Sequence, residues 1–285
     1  MRAQHGFLVV DKPTGITSHD VVAQVRRRFN TKRVGHAGTL DPMATGVLVI
    51  GINNATKFLQ YVMEGKKRYL ATIRLGISTT TDDKEGEVLE VKEISDISDS
   101  QITEALSRFT GVISQVPSKV SAVKIKGKRA YSLARSGENF EIPAREITVY
   151  ELKVVAIKRG ENLEVDIDVT CSAGTYIRAI ARDLGVILKV GGHLTQLRRI
   201  AAYPFEIGSA GDIETVPLTP LFDAISQLMP VRTLNEAEIV NLKFGRQISS
   251  SPFEGAGVAI DGGREVVAII KNIETGCQPV TVFNS

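Results

Sequence analysis

The stretch RVGHAGTLDPMATGVLVIGINNATK sets one carboxylate, Asp41, directly before Pro42 and among Gly35, Gly38, Gly46 and Gly51. Glycine permits turns and close approaches that a side chain forbids. Proline drives the residue before it out of the helical region. Asp41 is therefore expected on a tight, rigid loop, ahead of a strand that begins near Gly46. A carboxylate so held suits Asp-based chemistry such as hydrolysis. The same spacing also suits an Asx turn, in which Asp41 bonds only its own backbone. No second carboxylate and no Ser-His arrangement stands at a sensible spacing to share the work. His5, His19, His36 and His193 show no metal-ligand spacing, and there is no glycine-rich phosphate loop.

The elements that must carry such a loop follow from periodicity. Ser18 is placed to cap a helix in which Val21, Val22, Val25 and Phe29 share a face. Ile102, Ala105, Leu106 and Phe109 repeat at helical spacing, with Gly111 placed to end that helix. Ile177, Ile180, Ala181, Leu184 and Leu188 do the same, and Gly174 lets the chain enter this helix tightly. Its spacing puts Arg178 and Arg182 together on a face away from Ile177 and Ile180, which by itself reads as exposed arginines. Strands are plentiful. Tyr69, Ala71, Ile73 and Leu75 alternate against Arg68, Leu70, Thr72 and Arg74, and LEVDIDVTC alternates cleanly from Leu163 to Cys171. Tyr69 thus reads as a core residue at the end of an apolar face. Strands without strict βα alternation predict an α+β fold. PLTPLFDAISQLMPV reads as a domain junction. Beyond it come a short amphipathic helix and a hairpin turning at Asp261-Gly262-Gly263.

Composition narrows the class. Of 285 residues, 43% are hydrophobic and 24% charged, which suits a folded chain and argues against disorder. Cys171 and Cys277 cannot form a disulfide framework and read as reduced thiols of a cytoplasmic protein. No apolar run is long enough to span a membrane, and the start is too short for a signal peptide. The net charge is only +3, but residues 119–135 hold six Lys/Arg and no acid. Such a stripe fits a polyanion partner, and equally a solvated surface.

GHAGTLDPMATGVL closely resembles the signature of the TruB family of tRNA pseudouridine synthases. KRYLATIRLG is similar to the family's tyrosine-bearing strand and PSKVSAVKIKGKRAYSLARSG to its basic insertion. GTYIRAIARDLG resembles its arginine-bearing turn, and GGHLTQLRRI its later leucine segment. The resemblance runs in order from about Gly6 to Phe205. It departs at Met43 and Val123, where leucine is common, and at Lys119-Val120; none is a catalytic position. The last 55 or so residues resemble, more weakly, the family's PUA module. The resemblance implies a pseudouridine synthase domain over 1–228 built on a mixed, mainly antiparallel sheet. A basic RNA-clamping insertion is expected near 117–146, and a small β-rich PUA-like RNA-binding domain over 229–285.

It also implies an activity: isomerisation of uridine 55 in the tRNA T loop to pseudouridine. The C1′–N1 bond breaks, the uracil rotates, and a C1′–C5 bond forms, either through attack by the aspartate at C1′ or through a glycal. This needs no cofactor and no metal. The resemblance assigns Asp41 as nucleophile, Arg178 as the group that orients it, and Tyr69 as the ring that stacks on the uracil and a candidate acceptor for the C5 proton. His36, Tyr176, Leu197 and Lys12 are expected to contact the substrate. Lys124, Lys126, Lys128 and Arg129 are expected to hold phosphates of the T stem-loop. The expected state is a monomer bound to tRNA. Three other readings compete: a guide-RNA-dependent pseudouridine synthase, against which the basic insertion argues; a non-catalytic RNA-binding or RNA-folding protein; and an Asp-based hydrolase.

Overall fold

The computed structural model describes residues 4–118 and 140–283, with backbone alone at 124–125 and 128–129. The strands are β1 (Gly6–Lys12), β2 (Val34–His36), β3 (Thr45–Ile52), β4 (Lys67–Leu75), β5 (Ile77–Thr79), β6 (Val88–Val91), β7 (Gly111–Gln115), β8 (Lys124–Ile125) and β9 (Lys128–Arg129). They continue as β10 (Arg145–Arg159), β11 (Leu163–Cys171), β12 (Gly192–Ala202), β13 (Phe205–Glu206), β14 (Thr219–Pro220), β15 (Val231–Thr233), β16 (Ala256–Ile260), β17 (Val266–Ile273) and β18 (Gly276–Val282). The described α-helices are α1 (Ser18–Arg28), α2 (Leu59–Glu64), α3 (Asp99–Ser107), α4 (Ile177–Ile187), α5 (Leu221–Leu228) and α6 (Glu236–Lys243). None of these is long and apolar enough to cross a membrane.

The large sheet runs β14-β1-β3-β12-β4-β11-β10-β7. Its neighbours are antiparallel except β3 and β12, which pair in parallel at Arg198↔Thr45 and Arg199↔Gly46. Gly46 has φ +101°, and a Cβ there would lie 2.1 Å from the Arg199 carbonyl oxygen. Only glycine lets the two halves of the sheet meet there. The short parallel contact leaves the earlier part of β12 unpaired with β3, and residues 82–84 bond to Leu194 there.

Alternation decides the faces. In β11, Leu163, Val165, Ile167, Val169 and Cys171 are buried beneath α3 and α4. On the opposite face Arg68–Asp168, Arg74–Glu164 and Lys158–Asp166 pair across strands. The α1 cap falls one residue earlier than expected. Thr17 accepts from Asp20 N and Asp20 returns the bond, a capping box, which releases Ser18 for a buried role. Gly111 does not end α3; Arg108 does, and Gly111 opens β7.

The segment expected to be a junction is structured. Thr219 and Pro220 pair with β1, and α5 buries Leu221, Ala224 and Ile225. These residues share a core with Phe58, Phe205, Val258, Ile260, Ile269 and Phe283, and the Phe58 and Phe283 rings stack at 5.5 Å. The C-terminal sheet, β15-β16-β17-β18, therefore packs on the face of β1 and β3 that α1 leaves open. Its β16–β17 turn is at Asp261, which accepts from Gly263 N and Glu265 N.

Candidate active site

The Asp41 loop is pinned from five directions. Lys12 is fully buried, and its Nζ donates to the carbonyls of Pro13 (2.8 Å), Ile16 (2.7 Å) and Pro42 (3.3 Å). Gly15 N donates to the same Pro42 carbonyl at 2.9 Å. Thr14 Oγ1 donates to Met43 O at 3.3 Å. Ser18, also fully buried, accepts from Leu40 N (2.9 Å) and donates to Leu40 O (3.2 Å). Arg199 Nη2 donates to Gly38 O at 3.0 Å, and Ala44 N closes the turn onto Asp41 O at 3.0 Å. A loop tied at this many backbone atoms holds its side chain in one place before any ligand arrives. Lys12, expected to touch substrate, has no open surface and no spare donor. In this structure its ammonium ties Ile16 O to Pro42 O of the loop.

The Asp41 side chain is 33% exposed, and both its oxygens face Arg178. Arg178 Nε lies 3.0 Å from Oδ2 and Nη2 donates to Oδ1 at 3.3 Å, a two-point grip that fixes the carboxylate plane. No backbone N–H of the loop donates to this carboxylate among the described residues, so the Asx-turn reading fails. Arg178 is not an exposed helical arginine. Its side chain is 6% exposed because the loop after β5 folds over it, and Nη1 donates to Thr81 O (2.9 Å) and Asp83 Oδ2 (3.2 Å).

Asp83 was absent from the residues expected on sequence. Its carboxylate is 4% exposed and also accepts from Thr81 Oγ1 and Glu85 N. A TTTDDKEG turn looks like solvent-facing polar sequence, and only the fold brings it to α4. Two carboxylates thus share one guanidinium. Withdrawal from water raises Asp41 above the usual carboxylate range; Asp83 adds to this, while Arg178 and Lys12 oppose it. Arg182 serves the same loop by donating to Asp82 and to Val116 O.

A cleft of about 750 Å³ opens over Asp41, between the start of α1, Tyr69 and residues 172–178. Tyr69, Tyr176, Leu197, Arg178 and Arg199 line it. Tyr69 packs against the core with its ring end in the cleft, and burial raises its phenol above the usual range. Tyr176 is held by its backbone: Gln115 donates to its carbonyl at 3.1 Å and accepts from its N–H at 2.8 Å. His36 stands behind the loop on β2, its ring edge-on to His19 at 5.5 Å. Burial lowers its pKa to about 4, so it is neutral at pH 7, and its buried Nδ1 has no partner among the described residues. Arg199, 2% exposed, also escaped the sequence reading. Lys126 and the side chains of Lys124, Lys128 and Arg129 lie outside the described residues; β8 and β9 place only the backbone of the latter three. Among the described residues no group of His, Cys, Asp or Glu is gathered to hold a metal ion.

The chain that carries this loop matches known proteins over nearly its whole length. The family described as TruB family pseudouridylate synthase (N terminal domain) matches residues 26–177. The tRNA pseudouridine synthase B of Thermobifida fusca is 49% identical, covering 98% of both chains. That of Corynebacterium diphtheriae is 44% identical, covering 99% of this chain and 96% of its own.

The chain belongs to the TruB family.

Among solved structures, the archaeal box H/ACA sRNP Nop10-Cbf5 complex matches 98% of this TruB chain and 86% of its own at TM-score 0.73 and 21% identity. An H/ACA RNP bound to a substrate RNA containing 2′-deoxyuridine matches at TM-score 0.72 and 22% identity, covering 99% and 86%. These likenesses establish the fold. The α+β architecture expected from the sequence, with its mixed, mainly antiparallel sheet and small C-terminal sheet, is therefore the pseudouridine synthase fold, and this TruB chain is an isomerase.

Proposed function

We propose that the protein converts uridine 55 in the T loop of tRNA to pseudouridine, with Asp41 as nucleophile. The observation that carries this is the two-point contact of Arg178 with Asp41 on a pinned loop at the cleft. The full-length likeness to tRNA pseudouridine synthases B names the substrate.

The target uridine must first leave its stack, at a cost of roughly a few kcal/mol. The cleft then receives the base. Tyr69 offers a ring face on one wall, and Tyr176 and Leu197 complete the apolar lining. Asp41 meets C1′ in the orientation Arg178 imposes, and the C1′–N1 electron pair passes to the uracil. The uracil turns in place, C5 attacks C1′ and displaces the Asp41 carboxylate, the C5 proton leaves, and N1 gains a proton. Atoms and charge balance with no redox change. Neutral His36, behind the loop, is the residue the family likeness sets near the space that the base vacates in the RNA. Lys124, Lys126, Lys128 and Arg129 supply phosphate contacts, which position RNA without reading it. Residues 229–285 act as a PUA-like RNA-binding module. The working form is a cytoplasmic monomer.

The test is incubation of the purified protein with an unmodified T-arm stem-loop, followed by carbodiimide mapping. Stoichiometric pseudouridine at the T-loop position without any guide RNA is expected. Binding without conversion would instead favour an RNA-folding protein, and conversion only with a guide would favour the guide-dependent reading.

A further inference from the structure

Among the described residues, Arg199 is a buried cation with no anionic partner. Its side chain reaches from β12 into the floor of the cleft, and the residue is 2% exposed. Nε donates to Val47 O at 2.7 Å and Nη2 to Gly38 O at 3.0 Å, so the plane of the guanidinium is fixed by two strands of backbone. Among the described residues no carboxylate lies within ion-pair distance of it. Neutral carbonyls satisfy its protons but do not cancel its charge. A charge taken out of water without a counter-ion is costly, and such an arrangement persists where the charge is used.

Its position indicates the use. Arg199 stands directly opposite Tyr69 in the β12–β4 ladder, and the two side chains point into the same cleft. Directly opposed residues in an antiparallel pair have Cβ atoms about 5 Å apart, which sets the two side chains next to each other on one face. A second buried cation stands two residues from Tyr69 on the same face. Lys67 Nζ donates to Val62 O (3.1 Å), Met63 O and Gly65 O (2.6 Å), the carbonyls at the end of α2. Its three protons are therefore committed, and it cannot also serve the phenol. Among the described residues no carbonyl or carboxylate takes a bond from Arg199 Nη1, which leaves it available to the phenol.

We propose that Arg199 is a positioning residue for Tyr69: its guanidinium holds the phenol oxygen, turns the hydroxyl toward the bound base, and steadies the phenolate that is left when the hydroxyl proton passes to N1 and that then takes the C5 proton. The effect of Arg199 on the phenol is opposite in sign to the rest of the site. Burial raises the phenol pKa most strongly, and Cys171 and Asp41 raise it too, whereas Arg199 lowers it by charge and by hydrogen bonding. Without Arg199 the phenol would be a weaker acid and free to rotate. This role rests on the reading of Tyr69 as the ring that meets the uracil. Its physical core, the pairing of Arg199 with Tyr69 across the β12–β4 ladder, does not.

The experiment therefore has two parts. In the free protein, tyrosine ionisation is followed by NMR of ¹³Cζ-labelled tyrosine, with the Tyr69 signal assigned by its loss in Tyr69→Phe. Arg199→Gln should raise the Tyr69 pKa by about one unit, a tenfold change in ionisation, and Arg199→Lys should raise it less. With an unmodified T-arm stem-loop, Arg199→Gln should lower the single-turnover rate about tenfold or more while RNA affinity stays within about twofold. In the Tyr69→Phe background the same substitution should change the residual rate less than about twofold, since its action runs through the hydroxyl. An unchanged Tyr69 titration overturns the proposal whatever the rates do. So does a rate loss that adds in full to that of Tyr69→Phe. A shifted titration with unchanged rates leaves the contact in place and removes Tyr69 from the chemistry. If Arg199→Gln does not fold, the titration of Arg199→Lys decides alone.

Discussion

Replacing Arg178 by lysine tests the site most directly. Among the described residues the arginine meets Asp41 at 3.0 and 3.3 Å, Asp83 at 3.2 Å and Thr81 O at 2.9 Å. An ammonium is a single point on a flexible stem and cannot bridge both carboxylates while gripping one of them at two oxygens. At least one charge-assisted bond to Asp41 is lost, at about 1.5–3 kcal/mol. Expressed in the chemical step, that is a fall of about ten- to 150-fold. Binding should change little, because tRNA affinity is set by many phosphate contacts elsewhere. Arg178→Met goes further, leaving Asp83, only 4% exposed, without its cation. Removing one partner of a buried pair costs about 3–5 kcal/mol, and the Thr81 and Glu85 bonds to Asp83 put the expected loss at the low end. Quench-flow single-turnover rates, filter binding and thermal melts separate the three effects. An Arg178→Lys rate within twofold of wild type would refute the orienting role.

Asp41→Asn should abolish turnover and leave tRNA affinity intact. The folded Asp41 pKa is raised, so the native state favours the protonated form, and the carboxylate's contribution to stability falls as pH rises through that value. The asparagine variant should thus melt no lower than wild type at pH 7, a point thermal scans at two pH values check. By the same sign, single-turnover rates should fall on the acid side with an apparent pKa above that of a free aspartate, and Arg178→Lys should move that limb to higher pH. Ser18→Ala removes both ties to Leu40 and should cost about 1–3 kcal/mol of stability with slower chemistry, read by urea melts and rates together. Tyr69→Phe should keep RNA affinity and lose rate, whereas Tyr69→Leu should lose both; a fully active Phe variant would take the hydroxyl out of the mechanism. Neutralising Lys124, Lys126, Lys128 and Arg129 together should flatten the plot of log K against log salt by roughly one counterion per lost contact. An unchanged slope would reduce the stripe to a solvated face.

The outlines of the fold were legible wherever one face of an element is buried and the other wet. The β11 alternation and the helical spacing of Ile102, Ala105, Leu106 and Phe109 match the observed burial. Asp41 was legible too, because glycine and proline act on the backbone locally and leave a mark in the chain itself. The resemblance to TruB rests on the same local marks. Other features needed tertiary structure because they are made by residues distant in sequence. Asp83 meets Arg178 across 95 residues, and Arg199 meets Gly38 across 161. Neither has a periodic or turn signature, since a buried polar group is specified by its partners and not by its neighbours. Lys12 was expected at the substrate through the resemblance alone; the fold surrounds its ammonium with three carbonyls, which no local pattern announces. Helical spacing put Arg178 on an open face and was right about the helix. What closes over that face is a loop from another part of the chain, and no period within α4 carries that information.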